Sequence, residues 1–277
     1  MKNTFKWMFA AILICGLTVS SCKKDPQPTP DPEPEPTTQT VLAGIVSTGV
    51  PFYDSVTCTY EYDAEYRIVR SESHVTNVDY VIRDLRFTYS DGQISVVGTE
   101  NDTPVTFECS LNEEGLITHF VKTEVINDTV THITNVDLTY DEEGRLTREY
   151  TISDIGQGVT NNCVWEGDDL VARNMEDGPV TVEYMPSDAP AQALFSTIGY
   201  SILLEDLCAQ GCFGKLPAHM PAKETITTTL SIPGMDPLVI TTNYTYTVNA
   251  EGRLATCVET GGADDHTTNY TFNWEER

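Results

Sequence analysis

From residue 41 onward, apolar and polar side chains alternate almost one by one. In SVTCTYEY, Val56, Cys58, Tyr60 and Tyr62 fall on one side, and Thr57, Thr59 and Glu61 on the other. NVDLTY does the same with Val136, Leu138 and Tyr140. A period of two marks strands with one buried and one wetted face, the pattern of an antiparallel sheet. Turn residues interrupt this alternation at short intervals, which predicts an all-β fold.

The turns fall into two alternating families. One is YDAEYRI (62–68), LNEEGLI (111–117), YDEEGRL (140–146) and VNAEGRL (248–254), with YSDGQI (89–94) and WEGDDL (165–170) as shorter relatives. The other comprises unrelated turns near residues 100, 127, 156, 178, 234 and 263. Alternation of this kind predicts an antiparallel up-and-down meander of about fourteen strands, strongly curved or barrel-like, with each family at one end. Within the first family the acids vary, since Ala64 and Ala250 stand among them, while the glycine position is held by Gly115, Gly144 and Gly252. That glycine supplies the positive φ of a type I turn with a bulge. The acids therefore read as solvated turn residues rather than as acid chemistry.

One stretch breaks the alternation. SDAPAQALFSTIGYSILLEDLCAQG predicts a helix over 189–209, with Ser187 or Asp188 as cap, Pro190 in the first turn and Gly211 after the end. Leu194, Ile198 and Ile202 share one face, which must be buried against the concave side of the sheet. FGKLPAHMPAK (213–223) reads as an irregular return loop.

The N-terminal segment has its own logic. MKNTFK is basic, WMFAAILICGLTVSS is apolar, and VSSC places small residues directly before Cys22. Residues 1–21 therefore read as a lipoprotein signal peptide, and Cys22 as the lipidated first residue of the mature chain. In residues 22–40 proline stands at every second position from Pro26 to Pro36. That favours extended polyproline II, at about 3.1 Å per residue, and makes a tether of roughly 50 Å. Residues 41–277 form the single β-rich domain. The expected location is the outer membrane, lipid-anchored, facing the cell surface or the periplasm.

Charge narrows the partners. The chain has 16 Lys and Arg against 42 Asp and Glu, a net charge of −26. Such a surface repels phosphate backbones, which excludes nucleic acid, and offers no polybasic dock, so the lipid on Cys22 must hold the membrane. A membrane-spanning barrel needs an apolar outer band, whereas the outward positions here are mostly Thr, Glu, Asp and Asn.

Six cysteines follow Cys22. Cys208 and Cys212 in CAQGC are the candidate local disulfide. Cys58, Cys109, Cys163 and Cys257 lie among apolar strand residues and read as buried thiols. No metal set and no cofactor motif is present. His74, His119, His132, His219 and His266 are scattered. DSV at 54–56 and DTV at 128–130 make Ser55 and Thr129 candidate O-glycosylation acceptors.

The YDxxGRL turns, the late single helix followed by GKLPA and the closing YTYT…GRL hairpin resemble a set of Bacteroidetes lipoproteins. These form a domain of unknown function with a porin-like, many-stranded β fold. The resemblance covers about residues 50–277 and implies that fold, but no catalytic residues. Tyr66 takes the glycine place in one turn, and EGDD lacks the arginine.

The expected function is thus a lipid-anchored envelope lipoprotein with a non-enzymatic role, structural or binding a glycan, peptide or apolar ligand. The alternative is a hydrolase acting on surface glycans or other polymers. Converging acids or a His/Asp pair in a concave cleft would favour the hydrolase.

Overall fold

A computed structural model describes residues 38–277 apart from 51–52, 77, 79, 127–129, 176–177, 186–204, 209, 229–235 and 263–264. Sixteen strands follow one another. The first eight are β1 (Thr40–Val50), β2 (Tyr53–Tyr62), β3 (Ile68–Val75), β4 (Tyr80–Ser90), β5 (Gln93–Glu100), β6 (Thr103–Leu111), β7 (Ile117–Ile126) and β8 (Val130–Tyr140). The second eight are β9 (Leu146–Ser153), β10 (Val159–Glu166), β11 (Asp169–Met175), β12 (Gly178–Tyr184), β13 (Pro221–Thr228), β14 (Leu238–Val248), β15 (Leu254–Gly261) and β16 (His266–Glu276). Each pairs antiparallel with its chain neighbours, and β16 returns to β1 with Phe272 opposite Ile45. The meander closes into a barrel, and closure leaves no edge strand exposed.

The sixteen strands exceed the expected fourteen because two turns carry weak signals. β1 and β2 meet at Val50 and Tyr53, and β3 and β4 at Val75 and Tyr80, with no glycine between the paired ends. Of the helix expected over 189–209, residues 189–204 and 209 lie outside the described residues. Its end is helical as α1 (Glu205–Cys208), and Gly211 at φ 76° closes it, with Cys212 N–H on the Leu207 carbonyl at 3.1 Å.

The first turn family does more than reverse the chain. Asp141 Oδ1 accepts the N–H groups of Glu143 and Arg145 at 3.1 and 2.9 Å, and its Oδ2 takes Arg145 Nε at 2.7 Å. Asp63, Asn112 and Asn249 bind their own turns in the same way. The chemistry these turns share is the first Asp or Asn, an Asx cap, and not the acids that follow. Tyr66, in the glycine place, adopts the same left-handed conformation at φ 62°.

A second link runs around the circumference. The aromatic residue ending a strand donates to the carbonyl that opens the strand before it. Tyr62, Tyr89, Tyr140 and Tyr184 bond Leu42, Ile68, Ile117 and Leu170 at 2.7–2.8 Å. Trp165 and Trp274 bond Leu146 and Leu254 at 2.8 and 2.7 Å. Turn arginines then cover these rings: Arg67 over Tyr89, Arg145 over Trp165 and Arg253 over Trp274, at 4.6, 5.9 and 6.0 Å. These links lock neighbouring hairpins together at one end of the barrel.

Inside, apolar side chains line the half of the wall nearest those turns. Leu85, Val96, Phe107, Ile117, Leu146, Leu170 and Leu254 are almost fully buried. Outside, the wall is polar: Arg70 binds Asp84 at 2.8 Å and also holds Glu61 and Glu72.

Candidate functional site

The connection from β12 to β13 supplies a plug. Leu207, Cys208, Phe213 and Met220 join the apolar core, which is what places this segment inside the barrel mouth. Backbone bonds fix it to the wall: Ile117 N–H on the Cys212 carbonyl at 2.8 Å, Lys215 N–H on Gly144 at 2.8 Å, and Ala218 N–H on Asp168 at 2.9 Å. His219 Nδ1 lies 2.8 Å from Asp169 Oδ2, and Lys215 Nζ 2.6 Å from Asp168. These polar contacts anchor the plug to the β10–β11 turn.

One charge of the plug is buried. Asp206 on α1 is 2% exposed and faces Arg83 of β4, whose Nη2 lies 3.2 Å from Oδ2. Ser71 donates to Asp206 Oδ1 at 3.3 Å. Burial pushes the carboxyl above its usual range, and Arg83 and then Ser71 work against that rise.

Beside the plug a pocket of about 650 Å³ opens between β1, the β2–β3 and β4–β5 turns and Trp274. Its aromatic walls are Tyr62, Tyr66, Tyr89 and Trp274, and Leu42, Ile68 and Ile94 form apolar surface. Gln39, Gln93 and Gln210 contribute amides. Gln210 Oε1 accepts from the Tyr89 hydroxyl at 2.9 Å. Its charged pair, Arg67 and Glu65, are bonded to each other. The result is a cleft of aromatic side chains and amides whose charged pair is internally matched, suited to hydrogen bonding rather than to ionic capture.

Further up the inner wall, polar side chains replace the apolar ones. Glu149, Asn161 and Arg173, on β9, β10 and β11, are 7, 8 and 5% exposed. Asn161 Nδ2 and Thr151 Oγ1 both donate to Glu149 Oε1 at 3.1 Å. Tyr244 donates to Glu224 at 3.3 Å and Tyr270 to Glu259 at 2.9 Å. Sequence reasoning misses these residues, although a signal exists. Glu224 is in phase with Ile226 and Glu259 with buried Cys257, so each acid occupies an inward position of its strand.

Among the described residues, those expected from the sequence do not converge on one site. Cys22 and Thr129 fall outside the described residues. Ser55 faces outward on β2 and accepts a hydrogen bond from Thr76 Oγ1 at 3.1 Å. The disulfide expected between Cys208 and Cys212 is not made; both are present as thiols, separated by the helix end and Gly211. Cys58, Cys109, Cys163 and Cys257 are thiols as well. His119 pairs with Asp137 at 2.8 Å across two strands on the outer wall.

The fold and its interior define a class: a closed up-and-down β-barrel whose lumen is floored by its own inter-strand plug. The chain belongs to the family described as a domain of unknown function (DUF4595) with porin-like fold, whose model matches residues 60–256. Two solved structures share the fold. A porin-like protein from Bacteroides uniformis ATCC 8492 is 15% identical with a TM-score of 0.59, over 84% of this chain and 98% of that one. A porin-like protein from Bacteroides vulgatus ATCC 8482 is 9% identical with a TM-score of 0.55, over 86% and 99%. No curated protein matches the chain.

Proposed function

We propose that this chain is a lipid-anchored bacterial envelope lipoprotein whose barrel is a non-enzymatic binding module for a neutral glycan. The pocket beside the plug carries the reading. The Tyr66 ring suits the C–H face of a sugar ring, and the glutamine amides suit hydroxyl groups. A simple apolar ligand would leave those amides unused. A glycan and peptide array probed with the purified protein tests this. Glycan binding that falls in Gln93→Ala is expected; silence on both panels, or peptide binding alone, overturns it.

The polar outer wall supports a barrel that stands clear of the bilayer. Outward Thr57, Thr59, Thr245, Asn269 and Thr271, and the Arg70 ion cluster, are incompatible with a lipid-facing band. The membrane is then reached through Cys22 and the tether of residues 22–40, with the domain of residues 41–277 beyond them. Palmitate labelling should vanish in Cys22→Ala, and labelling that survives sinks the anchor. Ser55 and Thr129 remain the O-glycosylation acceptors of this reading, detectable as added intact mass lost on their replacement by Ala.

A hydrolase acting on surface glycans would need two available acids at the bound sugar. The pocket lining offers Glu65, which is tied to Arg67. This weighs against the hydrolase.

A further inference from the structure

The pocket beside the plug and the start of the barrel chain share one end of the molecule. Strands alternate in direction around an up-and-down barrel, so the starts of β1, β3 and β5 lie on one rim with the ends of β2, β4, β6 and β16. The pocket is lined from that rim: Gln39 and Thr40 where β1 begins, the β2–β3 and β4–β5 turns, Leu111 at the end of β6 and Trp274 near the end of β16. Gln210 and Cys212 of the plug complete it.

Gln39 is at once a pocket residue and the point where the N-terminal segment meets the barrel. Its backbone is held there by two 2.9 Å hydrogen bonds with Arg277. A chain arriving from residues 22–38 therefore enters the domain at the lip of the pocket. The opposite rim stands well away. The eleven residues of β1 cover about 36 Å of strand at 3.3 Å each, or roughly 28 Å of barrel height at the usual tilt.

Charge sets how close this end comes to a membrane. A chain of net charge −26 is repelled by an anionic headgroup layer over about one Debye length, roughly 8 Å at physiological salt. A tether of roughly 50 Å exceeds that distance several times. The pocket end then stands beyond the charged layer, within reach of chains that project from it. Arg67 and Glu65 in the lining are bonded to each other, so the pocket is poorly suited to a lipid phosphate and better suited to uncharged sugar.

We propose that the pocket takes the neutral glycan portion of a glycolipid anchored in the same membrane as Cys22, and not a free polymer arriving from outside. This rests on the lipid anchor and the glycan pocket of the preceding section, and adds the source of the ligand and the direction from which it comes. Two anchors in one bilayer turn binding into an effectively intramolecular event, whose effective concentration is set by the reach of the tether. A pocket at the tether's point of entry gains fully from this. A site on the opposite rim would require the domain to fold back over its own tether.

The test uses the full lipidated chain in phosphatidylcholine vesicles. The probe is the strongest glycan of the array, carrying a dansyl group and coupled to a dialkyl lipid. It is placed in the same vesicles, in separate vesicles, or left uncoupled in solution. Energy transfer from tryptophan to dansyl reads occupancy, because Trp274 lines the pocket. In the shared bilayer, half-saturation is expected at a glycan concentration roughly tenfold or more below that in solution. Protein vesicles and separate glycan vesicles should not cluster. Gln93→Ala, at an exposed position, should lose the response in the shared bilayer, and Glu108→Gln on the outer wall should keep it. Clustering of the two vesicle populations without a response in the shared bilayer overturns the proposal, as does a shared-bilayer response no stronger than that in solution. Either result leaves the glycan reading standing, since binding in solution persists. An array silent to every glycan overturns that reading, and this proposal with it.

Discussion

The Arg277 guanidinium lies 5.4 Å above the Tyr62 ring, the position that Arg67 occupies over Tyr89 at 4.6 Å. Arg277 belongs to no hairpin turn, yet it completes the series of turn arginines at the seam. Its backbone also exchanges two 2.9 Å hydrogen bonds with Gln39. The barrel therefore closes at β1 and β16 with the same link that joins its internal hairpins.

Removing either part of that link should loosen the seam. Tyr62→Phe loses the 2.7 Å bond to the Leu42 carbonyl, which costs about 1 kcal/mol. Burial raises the Tyr62 phenol to about 12, so it remains a donor at neutral pH. Arg277→Ala should cost about 0.5 kcal/mol, because the cation is partly solvated. Urea unfolding reads both, and full stability in Tyr62→Phe would show the latch to be idle.

Two glycines should differ sharply. Gly144, at φ 74°, has nothing within 4 Å of the place where a methyl group would stand, so Gly144→Ala costs only the left-handed backbone, about 1 kcal/mol. Gly214, at φ 85°, would drive a Cβ to 2.3 Å from the Gly144 carbonyl and 2.9 Å from the Tyr140 ring. Gly214→Ala should cost about 3 kcal/mol and displace the plug from the turn. Equal melting temperatures for the two variants would contradict this packing.

Arg83→Leu should destabilise the protein by about 3 kcal/mol at pH 7.5, since it leaves Asp206 charged and buried. The sign with pH follows from the raised folded-state value of Asp206. A carboxyl that binds a proton more tightly when folded opposes stability at high pH, and that cost fades as pH falls through its folded value. The defect should therefore shrink on acidification. A loss that is constant or grows between pH 7.5 and 5 would rule out Asp206 as its source.

The thiols should resist alkylation. Burial raises Cys109 and Cys257 to about 12, and Cys163 and Cys212 to about 11. At pH 8 the thiolate fraction then drops by roughly a hundredfold or more relative to an ordinary cysteine. Iodoacetamide followed by intact mass should show little modification until urea unfolds the barrel. Rapid labelling of the native protein would place these side chains in solvent.

Much of the architecture is legible in the sequence because strand alternation and turn chemistry are local. Val136, Leu138 and Tyr140 face the interior as their spacing requires, and Gly144 sits at positive φ. Two strand boundaries are harder, since the turns after Val50 and Val75 have no glycine between their paired ends. The candidate sites are much less legible. Glu224 and Glu259 look like any solvated acids until their phase is compared with Ile226 and Cys257. Asp141 looks interchangeable with its acidic neighbours, although its side chain alone caps the turn.

The sequence by itself determined that the chain forms antiparallel strands, which face of each is buried and where most hairpins turn, because these depend on residues a few positions apart. Tertiary structure decided that sixteen strands close on themselves, that Arg277 meets Tyr62, that Asp206 reaches Arg83, and that Glu149, Arg173 and Glu224 share one interior. Those relationships join residues distant along the chain. They arise from closure, which turns one face of every strand toward a common space.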